Sequence, residues 1–224
     1  MKATNRLLVT AAVFVTCLIT ANIIAVKIIS LGFIGLERVI LPAAVIVFPV
    51  SYIFGDVLTE VYGYRWARRV IWLGFACNLV FVVFAWLGGL LPSAPFWSGQ
   101  DAYQAIIGYT PRLLLASFAG YLTGQFANSI VLSRMKILTQ GRWLWMRTIG
   151  STAVGEGLDS VIFLTIAFYG TPAFTPWLYL YHWSAKVLIE VLATPLTYRA
   201  VAYLKRVEGV DAFDHSTSYN PFSF

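Results

Sequence analysis

The chain has 224 residues, of which 59% are hydrophobic and only 12% charged, with a mean hydropathy of +0.75. Soluble domains carry about 25% charged residues, so a water-soluble globular protein is excluded and an integral membrane protein is left. The net charge of +6 does not point to nucleic acid, because most Lys and Arg stand in short stretches between apolar runs, where they act as topology signals.

Six runs are long and apolar enough to cross a hydrocarbon core of roughly 30 Å, which takes about 20 helical residues. They are Leu7–Ile29, Val39–Tyr62, Val70–Leu91, Leu113–Ser133, Thr148–Tyr169 and Trp177–Leu204. None shows the alternation of a barrel strand. The expected class is therefore all-α, a bundle of six transmembrane helices. Cys17 and Cys77 both fall inside apolar runs, which argues against a disulfide framework or a thiolate metal site.

Lys2 and Arg6 precede the first run. That run exceeds the 7–15 apolar residues of a cleaved signal peptide, so it reads as a retained span. It carries Asn22, and Lys27 close enough to its boundary to snorkel. The second run carries Asp56 and Glu60, four residues apart and so on one helical face. An ionisable residue inside a bilayer is costly unless a partner, a pathway or a ligand needs it. Two readings stand: a site, or pairing with Arg65, Arg68 and Arg69, which follow at once. The third run carries Asn78. The segment Pro92–Pro111, with Trp97 and Tyr103, reads as interfacial. Gln125 and Asn128 lie in the fourth run. Such amides usually hydrogen-bond between helices, unless a planar polar ligand recruits them.

Arg134, Lys136, Arg142 and Arg147 separate the fourth run from the fifth, with Trp143 and Trp145 as interfacial aromatics. In the fifth, Glu156 and Asp159 share a face, beside Gly155 and Gly157. Glycines admit a close helix or ligand, but packing alone does not explain two carboxylates. In the sixth, His182, Lys186 and Glu190 step by four along one stripe. A Lys186–Glu190 pair within the helix would neutralise both. It would leave His182 unexplained, so the stripe is expected to line a polar cavity.

Lys205 and Arg206 follow the last run, and the side opposite the basic loops holds only Arg38 and Arg112. This bias places both termini and the basic loops in the cytoplasm. Residues 1–206 are expected to form the membrane domain and 207–224 a polar cytoplasmic tail without a site role. Five carboxylates stand within the spans against two lysines. The surplus must be protonated, hydrated or awaiting a donor-rich ligand.

Signatures of enzymes are missing: no His-Glu-x-x-His, no Gly-x-Ser-x-Gly elbow and no phosphate-binding loop. An acid-pair intramembrane enzyme is the one catalytic reading left. Transport fits better.

The run from Asp56 to Tyr64, followed by Arg65, Ala67, Arg68 and Arg69, resembles the queuosine precursor transporter family, also called the vitamin uptake transporters. The resemblance continues at Gly155-Glu156-Gly157-Leu158-Asp159-Ser160 with Phe163, at Lys186, Glu190 and Pro195, and at Asp211, Asp214 and Asn220-Pro221-Phe222. It implies a six-helix inner-membrane importer of 7-deazaguanine precursors of the modified tRNA base queuosine. The implied partners are that small molecule, membrane lipid and, as an option, a second copy of the chain. No nucleic acid, metal or cofactor is expected.

A 7-deazaguanine offers a ring N–H and an exocyclic amine on one edge, which a carboxylate accepts together. Glu156 and Asp159 are expected to read that edge. The full candidate set is Glu156, Asp159, Lys186, Glu190, Asp56, Glu60, Asn22, Asn78, Gln125, Asn128, Phe163 and His182. Phe48, Tyr52, Phe126 and Phe163 are candidates to stack on the base. Two other readings stay open: a substrate-binding subunit working with a separate ATP-driven module, and a non-transporting membrane scaffold.

Overall fold

The computed structural model describes residues 4–31, 36–108, 111–170, 174 and 176–223. Among them run α1 (Asn5–Ile24), β1 (Ile28–Leu31), β2 (Leu36–Pro42), α2 (Phe48–Tyr62), α3 (Tyr64–Leu90), α4 (Gln100–Ile107), α5 (Pro111–Leu138), α6 (Leu144–Phe168) and α7 (Pro176–Glu208). The chain is mostly helical, as its hydropathy predicts. Among the described residues, four helices are both long and apolar enough to cross a bilayer: α1, α3, α6 and the Tyr179–Glu208 part of α7. At 28 residues α5 is long enough but less apolar, with Gln125, Asn128, Ser129 and Ser133 along it.

The second expected span departs from one continuous helix. Its first residues pair with the end of the first span in an antiparallel hairpin, Ile28 opposite Pro42 and Ser30 opposite Ile40. The β-branched Ile28, Ile29, Val39 and Ile40 suit strands, and hydropathy records apolarity without distinguishing strand from helix. Pro42 lacks an N–H to continue the ladder, and a 3-10 turn (Ala43–Ile46) leads into α2. At 15 residues α2 is about 22 Å long, short of a full span.

The interface of α5 with α6 is glycine-built. A Cβ on Gly155 would stand 2.7 Å from Asn128 Cβ and 2.8 Å from the Gly124 carbonyl oxygen, and one on Gly124 would stand 2.8 Å from Asp159 Cβ. Only hydrogen fits there, and that close approach sets Asn128 of α5 against Gly155 and Asp159 of α6 against Gly124. Gly155→Val is therefore expected to cost about 1–3 kcal/mol through overpacking, read as a lower unfolding temperature in detergent. An unchanged midpoint would show that the crossing tolerates separation.

The tail is not a loose extension. Gly63 breaks α2 from α3 at φ +84°, leaving the first N–H groups of α3 without helical partners. Asp214 supplies an acceptor from 150 residues away: its carboxylate takes the Tyr64 N–H at 2.9 Å and the Ser133 hydroxyl at 2.7 Å. A carboxylate at a helix N-terminus also meets the favourable end of the dipole. Arg68 donates to the carbonyls of Ser218 and Asn220, and Trp72 to that of Pro221. The tail is thus strapped across α2, α3 and α5. Exposed His215 stacks on Phe213.

Candidate functional site

Asp56 and Glu60, which share a face of α2, belong to two different clusters. Glu60 is fully buried, and its Oε1 is met by Lys205 at 2.7 Å, Arg147 at 2.9 Å and Lys136 at 3.5 Å. Lys136 also donates to the Glu60 and Ala212 carbonyls, and Asp211 of the tail pairs with Lys136 and with Lys205. Pairing was one of the readings for Glu60, but its cations are not Arg65, Arg68 or Arg69. Arg68 holds the tail, and Arg69 lies over the Trp66 ring. The carboxyl of Asp211 is penalised by burial, yet hydrogen bonds from Lys136 and Lys205 outweigh that and hold it below the usual carboxylate range.

One turn earlier on α2, Asp56 faces α5, where Asn128 Nδ2 donates to its Oδ1 at 3.2 Å. Across from it, on α6 and α7, Lys186 Nζ bridges the two fifth-span carboxylates: Glu156 at 2.7 Å and Asp159. The alternative reading, a Lys186–Glu190 pair within α7, is not formed among the described residues. Lys186 reaches to the neighbouring helix instead, where two acceptors converge, rather than along its own. Glu190, 0% exposed, lies within electrostatic reach of Asp56 and Glu156. The Tyr52 hydroxyl, on the same stretch of α2, faces Glu156.

The unoccupied acceptors are then clear. Asp56 Oδ2, Asn128 Oδ1 and both oxygens of Glu190 are buried and have no hydrogen-bond partner among the described residues; the same is true of Glu60 Oε2, but the other oxygen of Glu60 already holds three cations. Buried polar groups are ordinarily paired, so each such oxygen needs an explanation. Glu156 and Asp159, expected to read a ligand edge, are already committed to Lys186. The buried oxygens of Asp56, Asn128 and Glu190 that lack a partner among the described residues stand on α2, α5 and α7.

The remaining candidates scatter around this centre. Asn22 Nδ2 donates to Asn78 Oδ1 at 3.1 Å, joining α1 to α3 as interhelical amides do. Gln125 is half-buried, with its Oε1 toward Gly55 of α2. The Nδ1 of His182 bonds the Ser160 hydroxyl at 2.9 Å, and the ring stacks on Phe163. Of the proposed stacking rings, Tyr52 borders the acceptors, while Phe126 packs with Trp72 of α3, away from them. The Phe48 side chain lies outside the described residues. Sequence reasoning missed the Glu60 partners because Lys136 and Arg147 read as loop charges. Their one available signal was a carboxylate count too high to stay unpaired.

Comparison with known proteins follows the same lines. The family model described as "Putative vitamin uptake transporter" matches residues 42–200. A Bacillus subtilis protein named "Probable queuosine precursor transporter" is 35% identical over 150 residues, 65% of either chain. The Escherichia coli "Queuosine precursor transporter" is 29% identical over 144 residues, 64% of this chain and 61% of that one. A Haemophilus influenzae protein named as probably the same is 27% identical over 122 residues, 54% of this chain and 49% of its own. The chain therefore spans less than two thirds of the length of each of these relatives. No solved structure matches it.

Proposed function

Since this chain belongs to the vitamin uptake transporter family, we propose that it imports a queuosine precursor, a 7-deazaguanine, across the cell inner membrane. Its relatives carry that name, and a transporter family is not one of enzymes. The observation that carries the reading is the set of orphaned acceptors on Asp56, Asn128 and Glu190, buried between helices. A planar heterocycle with a ring N–H and an exocyclic amine satisfies such oxygens, and each hydrogen bond to a charged group contributes about 1.5–3 kcal/mol. Tyr52 is placed to pack against the ring.

In this reading the membrane unit is a six-span bundle. The hairpin, the 3-10 turn and the short α2 together make the second crossing, and non-helical backbone is tolerated there when protein covers it. Both termini, the basic loops and the strapped tail face the cytoplasm. Reporter fusions after Arg69, Gln140 and Arg206 are expected to read cytoplasmic, and one at Ser98 external. A cytoplasmic signal at Ser98 overturns the topology.

The direct test is uptake of 7-cyano- and 7-aminomethyl-7-deazaguanine into proteoliposomes holding only this protein. Accumulation above empty vesicles is the expected result. Specific binding without uptake, restored by a co-purifying ATPase, would move the assignment to a substrate-binding subunit. Neither binding nor uptake would leave a scaffold.

A further inference from the structure

The fold shows how it treats a carboxylate that it neutralises by itself. Glu60 is enclosed by three cations from three helices, Lys136, Arg147 and Lys205. One turn away that treatment stops. Asp56 and Glu190 lie within electrostatic reach of Glu156, and the one ammonium paired there among the described residues, Lys186, is already shared between Glu156 and Asp159. Asp56, 1% exposed, receives one neutral amide hydrogen bond, from Asn128. Glu190, 0% exposed, receives nothing on either oxygen among the described residues. Leaving a carboxylate buried without a counter-charge is among the costlier arrangements in a protein, and more so within a bilayer. Three cations from other helices reach Glu60 of α2, whereas among the described residues no ion pair is made by Asp56 or Glu190.

The described carboxylates and imidazoles do not converge in any set of three that would chelate a bare metal ion. A larger occupant that carries its charge at one end fits them better. The two orphaned groups also differ in kind. Asp56 Oδ2 and Asn128 Oδ1 come from two hydrogen-bonded side chains, a pair of acceptors suited to adjacent donors on one edge of a ring. Glu190 stands on α7 as a carboxyl group with neither oxygen hydrogen-bonded among the described residues.

Resting on the proposed function, we infer that this site selects members of its substrate class that carry an alkylammonium over neutral members of similar shape, with Glu190 as the counter-charge. Asp56 and Asn128 take the ring N–H and the exocyclic amine. Glu190 takes the ammonium. A neutral nitrile at the same ring position would set an acceptor nitrogen against an acceptor carboxylate and leave Glu190 uncompensated.

The experiment is calorimetric titration of the purified full-length protein in nanodiscs, with 7-aminomethyl- and 7-cyano-7-deazaguanine as probes. The wild type is expected to bind the aminomethyl compound about ten- to a hundredfold more tightly, the worth of a hydrogen bond to a charged group. Glu190→Gln is expected to bring the two affinities within roughly threefold of each other, whereas Asp56→Asn weakens both and preserves their ratio. Equal or reversed wild-type affinities overturn the inference while leaving the proposed function standing. So does a ratio that survives in Glu190→Gln. If that variant does not fold, the wild-type ratio and its persistence in Asp56→Asn decide. Failure of both probes to bind folded wild-type protein overturns the proposed function, and this inference falls with it.

Discussion

Lys186→Met is expected to abolish uptake and to cost about 3–5 kcal/mol of stability, the range for removing one partner of a buried ion pair. The ammonium sits in a triad with Glu156 and Asp159 between α6 and α7. Without it, buried Glu156 and half-buried Asp159 are left beside Asp56 and Glu190 with no paired cation among the described residues. The cost arises from the orphaned charges, so removing them should recover the fold. The triple variant Lys186→Met, Glu156→Gln, Asp159→Asn is expected to regain most of the lost unfolding temperature, measured by thermal size-exclusion profile, and still to transport nothing. Transport by the triple variant would show that the triad is an insertion device and not part of the site. A stable single variant would show that the carboxylates there are not held by charge at all.

Glu60→Leu is the second large effect. It removes the common partner of Lys136, Arg147 and Lys205, all contributed by other helices. Three cations would then crowd one another, with the tail carboxylate Asp211 left as the acidic partner of Lys136 and Lys205 and none for Arg147 among the described residues. A loss of about 3–5 kcal/mol is expected here too, together with faster proteolysis of residues after Glu208 as Lys136 and Lys205 lose their alignment. The effect on ligand separates Glu60 from Asp56, its neighbour on the same helical face. The folded fraction of a milder Glu60→Gln variant is expected to bind the precursor within about threefold of wild type, whereas Asp56→Asn loses roughly ten- to a hundredfold. A binding loss in Glu60→Gln as large as in Asp56→Asn would return Glu60 to the site.

The two variants also test the tail. Asp214 caps α3 through the Tyr64 N–H and holds Ser133 of α5, independently of Glu60. Glu60→Leu should therefore loosen the Asp211 end of the strap before the Arg68 end. Tail and membrane unit were separable on composition alone, because residues 207–224 are polar. Their attachment was not.

By itself the sequence determined what depends on consecutive residues. Apolar runs of span length located the helical class and the cores of α1, α3, α5, α6 and α7, because hydropathy and the helical period are both local. It also determined that carboxylates outnumber cations inside the runs, and its motifs pointed to the right family. Only the tertiary structure decided which cation meets which carboxylate. Glu60 and Arg147 are 87 residues apart, and Glu60 and Lys205 are 145 apart, so no spacing rule connects them. The Lys186–Glu190 spacing of four permitted a pair that the fold does not form, because the acceptors of α6 stand opposite Lys186 and a cation is claimed by the pair of carboxylates nearest its tip. The second run read as one helix because apolarity is common to buried strand and buried helix, and the pairing of β1 with β2 is a contact between segments. The orphaned oxygens of Asp56, Asn128 and Glu190 come from three helices, and a residue's lack of a partner is settled only once every other residue has a place.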